Sequence, residues 1–372
     1  MKISLFVLAL SVLSVVAFAQ LKSQQIFYVG TFTSEGGEGI LRCGLDTETG
    51  EIHVLETYKG IDNPAFLKIS GNRSFLIVGS TPPEKAEPAG GWVSVYKIGE
   101  NGSLKFVNKQ ASHGDEPCHV DISRDNNWVA AANYGSGTLA LFPFSSDEKL
   151  QPAGSVIVNQ GSGPDLARQA GPHAHSVKFS PFTNEVFSAD LGTDQLDIFR
   201  LENDRLVQKD QKFVKMDAGA GPRHFDFHPS GKFIYVINEL NSTVTLISNE
   251  NGIWVKKQNY RTLPKDFSGK SYCADIHLSQ DGGFLYGSNR GHNSIVVFSV
   301  NPGNGELETV GFVPVEGNWP RNFGISRDGT YLLVANQRSG NITIFRINQQ
   351  TGLPEFTGKQ LKTGSPVCIE FL

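Results

Sequence analysis

Methionine is nearly missing from this chain, at two residues, and cysteine is scarce, at four. The cysteines (Cys43, Cys118, Cys273 and Cys368) form no CxxC pair, which excludes a zinc ribbon or a dithiol redox motif. They are also too few and too scattered for a disulfide scaffold. Buried thiols are expected, with a disulfide as the alternative in an oxidising compartment. An excess of charge of either sign is lacking too. The formal net charge of −4 offers no basic field for nucleic acid or an anionic membrane. Beyond residue 19, no apolar run is long enough for a transmembrane helix. What the chain does have is 40 glycines, a composition of many tight turns and little helix.

The N-terminus carries its own signal. Lys2 precedes an apolar run from Ile3 to Phe18, and Ala17-Phe18-Ala19 has the small-x-small pattern of a cleavage site. The run is short for a membrane span and has no second basic flank. No cysteine follows Ala19 to take a lipid. Residues 1–19 are therefore read as a signal peptide, and a soluble periplasmic or secreted monomer is expected from residue 20.

The remainder is repetitive. Asn63 to Ser70, a turn, and then Phe75 to Val78 set a form that returns at Pro117 to Asp125 and four more times. Taking Ser70, Ser123, Ser180, His228, Ser279 and Ser326 as anchors, the steps are 53, 57, 48, 51 and 47 residues. Within each unit an alternating strand such as Phe225-Asp226-Phe227 meets a turn (Pro229-Ser230-Gly231) and a more continuously apolar strand, Phe233 to Ile237. Tight-turn pairs (Thr49-Gly50, Asn101-Gly102, Asn251-Gly252, Thr351-Gly352) precede the outer strands. A period near 50 with four strands per unit is a propeller blade. Six anchors are internal. Pro366 to Leu372 is an inner strand with nothing after it, and Ile26 to Gly30 is a second strand with nothing before it. Together they make a seventh blade, so residues 20–372 are expected to form one all-β, seven-bladed propeller closed by its N- and C-terminal strands. Two insertions, Pro82 to Gly90 and Gly161 to Gly171, read as loops at a channel mouth.

Hairpin symmetry turns this spacing into a site. Arg223 and Glu239 are equidistant from the turn glycine Gly231, so the hairpin sets them side by side. Superposing blades brings His175 onto Arg223 and Arg290 onto Glu239. Arg321 with Gln337, and Cys118 with Tyr134, repeat the same spacing. His175, Arg223, Glu239 and Arg290 are the catalytic candidates; His173, His224, His292 and Arg321 are the substrate-binding candidates on the same face. Arginines hold carboxylate or phosphate in bidentate fashion, a neighbouring Glu or His can activate water, and guanidinium can stabilise the oxyanion of ester attack. The bland alternative is an ordinary ion pair closing the Arg223–Glu239 hairpin. His173-Ala174-His175 is a possible metal pair, but the arginines oppose a dication, and no metal or other cofactor is expected. Asn133, Asn238, Asn289 and Asn336 end the second strand in four blades, a repetition that suits capping better than catalysis.

Tyr28-Val29-Gly30-Thr31-Phe32-Thr33, Gly171 to His175, Gly221-Pro222-Arg223-His224, Asn238-Glu239 and Ser288-Asn289-Arg290 together resemble the seven-bladed lactonase family. That family includes propeller-type 6-phosphogluconolactonases and the fungal carboxy-muconate cyclase. The resemblance runs from about Gln25 to Leu372. It implies metal-free opening of a sugar lactone by water, with the histidine, arginine and glutamate roles on His175, Arg223, Glu239 and Arg290. A small lactone or sugar acid is the expected partner. The export signal is a departure, because a phosphorylated sugar intermediate belongs to the cytoplasm. Lactonising cyclisation of an unsaturated diacid is the alternative chemistry, and a non-catalytic binding scaffold is the alternative class.

Overall fold

The computed structural model describes residues 24–82, 90–144 and 148–372. The N-terminal apolar segment with its expected cleavage site, and most of the Pro82–Gly90 insertion, lie outside those residues. Among the described residues, no helix is long and apolar enough to cross a membrane.

Seven four-stranded antiparallel sheets stand around one axis. Blade 1 is closed by both chain ends: the inner strand Pro366–Phe371 pairs with Gln24–Thr31, which leads to Ile40–Asp46 and Ile52–Tyr58. Phe27 faces Phe371, and Val29 faces Ile369. The inner strands of blades 2 to 7 are Pro64–Ile69, Pro117–Ile122, Ala174–Phe179, Pro222–Phe227, Tyr272–Leu278 and Pro320–Ile325.

The anchors that reveal the repeat are turn staples. The Ser70, Ser123, Ser279 and Ser326 hydroxyls accept the N–H groups of Phe75, Trp128, Phe284 and Tyr331, closing the turn between inner and second strand. The second strands are almost wholly buried and supply the core between blades. Phe187, Ala189 and Ile198 of blade 4, for example, pack against Phe225, Ile234 and Val236 of blade 5. Tyrosines on these strands also reach across. Tyr28, Tyr235 and Tyr286 donate to the carbonyls of Gly102, Gly305 and Gly352 in the next blade's outer turn.

One irregularity recurs in every blade and shapes the axis. Near its start each inner strand carries a bulge, where the register skips Ala65, Cys118, His175, Arg223 and Arg321 in five blades and Val367 in blade 1. In blade 6 it spans Ala274 and Asp275. A bulge re-aims side chains, so two successive residues face the axis instead of one. Three storeys result: the bulge residues on top; Phe66, His119, Ser176, His224, Asp275, Asn322 and Cys368 in the middle; and, two residues further on, a lower ring. That ring holds Glu370, Lys68, Asp121, Lys178, Asp226, His277 and Gly324, in blade order 1 to 7, and lines a cavity of about 340 Å³.

Candidate active site

The upper storey opens into a cavity of about 370 Å³ lined by Ala65, Cys118, His175, Glu239, Arg290 and Arg321, with Arg168 and Tyr134 on its wall. It continues outward into a wider chamber of about 660 Å³ that adds Tyr272, Trp319, Gln337 and Arg338. Both volumes suit a small-molecule ligand. Trp319 is gripped by cations: the Arg338 guanidinium lies 3.4 Å and that of Arg290 5.4 Å from its ring centre.

Glu239 is the hub. It follows the second strand of blade 5 directly, and its N–H donates to the Gly221 carbonyl, which sets it beside the bulged Arg223. Its Oε2 lies 2.6 Å from Arg290 Nη2 and 3.2 Å from Arg223 Nε; its Oε1 lies 2.6 Å from Arg168 Nη2. Burial alone would raise this carboxyl, but Arg290, Arg223 and Arg168 override it and hold it at about 2. Arg223 is pushed down to about 9 by burial, with Arg290 and Arg321 adding repulsion, and stays charged at neutral pH. The Arg290 guanidinium is pinned by the carbonyls of Tyr272 and Cys273.

His175 faces this cluster from the bulge of blade 4. Burial, then Arg223, His224 and Arg321, hold it well below the usual histidine range, so the ring is neutral. Its Nδ1 lies 3.6 Å from Cys118 Sγ. Burial pushes the Cys118 thiol up to about 12, so it is no thiolate at neutral pH. All four cysteines are free. Arg321 completes the floor. Its guanidinium stands 5.2 Å from the Phe32 ring, and among the described residues no carboxylate lies at ion-pair distance from it.

His175, Glu239, Arg290 and Arg321 line the cavity, Arg223 lies buried beside Glu239 without lining it, and His173, His224 and His292 do not line it either. His173 stands behind Tyr134, stacked on its ring and with Nδ1 2.8 Å from its carbonyl oxygen. His224 drops to the middle storey because the bulge sends Arg223 upward. His292 sits in the turn after the second strand of blade 6 and swings outward to Ser294 and the Phe267 ring. The recurrent asparagines bridge strand ends: Asn133, Asn289 and Asn336 donate to the carbonyls of Ser112, Thr262 and Val315, and Asn238 donates to the hydroxyls of Thr243 and Thr245. Among the described residues no group of three or more His, Cys, Asp or Glu side chains could hold a metal ion.

Arg168 is the residue that blade superposition does not find. It comes from the Gly161–Gly171 insertion, whose only available signal was its place at the mouth. The loop is held down by Gln169, fully buried, which donates to the Leu191 carbonyl and the Asp194 carboxylate.

The family model "Lactonase, 7-bladed beta-propeller" matches residues 26–371. A 6-phosphogluconolactonase of Bacillus subtilis is 38% identical over 353 residues, covering 94% of this chain and 99% of that protein. A 6-phosphogluconolactonase of Formosa agariphila is 38% identical over 306 residues, covering 80% of this chain and 85% of its own. Among solved structures, the periplasmic gluconolactonase of Pseudomonas aeruginosa superposes with a TM-score of 0.87 at 31% identity, covering 94% of this chain and 99% of that one.

Proposed function

This chain belongs to the seven-bladed β-propeller lactonase family, and on that premise we propose that it hydrolyses a sugar lactone in the upper cavity, with His175 as the base. The observation that carries the assignment is the contrast between the two base candidates. Glu239 is spent on three guanidinium groups, whereas His175 is neutral and faces the same space. Water attacks the lactone carbonyl carbon and passes its proton to His175, while the C=O electron pair moves onto oxygen. Arg290 and Arg321 receive that oxyanion. When the tetrahedral centre collapses, the ring C–O bond breaks and His175 returns the proton to the leaving alkoxide. One water is consumed and a hydroxy acid is released. Glu239 keeps the guanidinium groups in place without being consumed by the reaction.

The same guanidinium field opposes a divalent cation, which supports a reaction run by side chains alone. An unphosphorylated sugar lactone, or a sugar-acid lactone whose carboxylate reaches Arg321, fits an exported enzyme. Export rests on the Lys2–Ala19 segment and on the compartment named for the Pseudomonas protein. N-terminal analysis of exported protein should begin at Gln20. The deciding assay follows proton release from glucono-, 6-phosphoglucono- and glucaro-lactones over the spontaneous rate. A wild-type protein that accelerates none of them would overturn the reading.

A further inference from the structure

Two buried polar residues beneath the pocket floor, His224 and Asp275, have no part in that reaction. His224 Nδ1 lies 2.7 Å from Asp275 Oδ1, and its Nε2 lies 3.3 Å from Arg223 Nη1. A guanidinium can only donate and an ionised carboxylate can only accept. One proton arrangement satisfies both neighbours: Nδ1–H donates to Asp275, and the bare Nε2 accepts from Arg223. Asp275 is fixed in turn. Its Oδ2 accepts from Asn322 Nδ2 at 2.5 Å and lies 2.8 Å from His277 Nε2, and its own N–H donates to the Ser288 hydroxyl. Arg223 Nη1 has one further acceptor, the Ala274 carbonyl at 2.5 Å. Among the described residues, His224 Nε2 and the Ala274 carbonyl are the contacts of Nη1.

We infer that Asp275 and His224 are positioning residues: the carboxylate selects the imidazole tautomer, and the imidazole sets the plane of Arg223 against Glu239. The inference rests on the proposed site, since Arg223 matters only if the upper cavity is where the lactone reacts. The opposite tautomer would point one N–H at another and turn the guanidinium away from its place. The ring stays neutral, because burial and the charge of Arg223 hold it down to about 3, so its tautomer alone carries the information.

Polarity and shape separate in the test. Glutamine at this position can donate to Asp275 and accept from Arg223; leucine can only fill space. In His224→Leu, kcat should fall roughly 100-fold with KM changed less than about threefold, the split expected when a shift of Arg223 displaces Glu239 and, through it, the Arg290 that meets the oxyanion. In His224→Gln, kcat should return to within about fivefold of wild type. Equal turnover in the two variants, or leucine performing better, would overturn the proposal. Nitrogen-15 NMR of the His224 ring in the full chain gives a readout free of activity. Protonated Nδ1 with bare Nε2 is expected, and protonated Nε2 would overturn it whether or not the leucine variant folds. A wild-type protein that opens no lactone would sink the functional reading instead, leaving the NMR result to decide the tautomer.

Discussion

The two ends of the propeller axis share seven inner strands, whose bulge residues and lower ring lie two or three residues apart, and they treat charge in opposite ways. At the lower end acids and bases alternate around the ring, and four of them are paired. Lys68 lies 3.1 Å from Glu370 and Lys178 lies 3.0 Å from Asp226. The acids also bind backbone: Glu370, Asp121 and Asp226 accept the N–H groups of Ile69, Phe179 and Leu278 in the next blade. These are inner-strand groups that would otherwise face the channel unpaired. At the upper end Arg168, Arg223 and Arg290 share one buried carboxylate, Glu239, and among the described residues Arg321 beside them has no carboxylate at ion-pair distance. The lower end sets acid beside base and sews blades together, whereas the upper end holds cationic charge that a substrate can answer. The difference separates a charge cluster that serves structure from one that serves chemistry.

The comparison breaks hardest at His175. His175→Asn keeps a polar side chain but removes the base, and kcat on a turned-over lactone should fall roughly 10²–10⁴-fold. In the wild type, the acid limb of kcat/KM should lie below the ordinary histidine range, because His175 must be neutral to act. Full turnover in His175→Asn with loss of turnover in Glu239→Gln would transfer the role to Glu239. Next comes Glu239→Gln, which leaves three guanidinium groups without their counter-charge and should cost about 3–5 kcal/mol of stability in denaturant melts. The sign with pH follows from its lowered carboxyl. The stabilisation is full above the ordinary glutamate value and is lost as pH falls toward 2. A Glu239→Gln protein as stable as wild type would remove the hub.

Smaller effects belong to the lower end. Lys178→Glu places a third acid between Asp121 and Asp226 and should destabilise by about 1–2 kcal/mol while leaving kcat unchanged. A comparable loss of turnover would mean that the two ends are not separable. The smallest effect is at Asp121, whose carboxyl is raised by burial. Its charged form costs stability as pH rises past the ordinary aspartate value, so Asp121→Asn should be neutral or up to about 1 kcal/mol stabilising at pH 7. Equilibrium urea melts of the two proteins side by side measure it.

The propeller could be read from the sequence because its anchors are local chemistry. Ser70, Ser123, Ser279 and Ser326 must close the same turn, so they recur at the blade period, and the half-blades at the two chain ends follow by counting. The adjacency of Arg223 and Glu239 was legible for the same reason, as hairpin arithmetic about Gly231. Height along the axis was not. Strict alternation assigns one face to every second residue, whereas the bulge turns Arg223 and His224 both inward and drops the histidine a storey. Arg168 escaped because its loop lies outside the repeat, where no neighbouring blade supplies a register.

Around the lower ring acid and base alternate through Glu370, Lys68, Asp121, Lys178, Asp226 and His277, and the seventh place is Gly324. A closed cycle with an odd number of sites cannot be coloured in two alternating colours, so an acid or a base at the seventh place would meet a neighbour of its own kind. Glycine resolves the frustration by withdrawing from the pattern. A Cβ there would lie 2.8 Å from Ile369 Cγ2, so the side of the ring where the chain's two ends meet is also closed to a side chain. Across this seam the neutral Asn322 takes over the stitching and accepts the Ile369 N–H at 2.6 Å. Blade number and charge pattern are thus one constraint: an even-membered ring would need no seam, and a seven-membered one must have it somewhere.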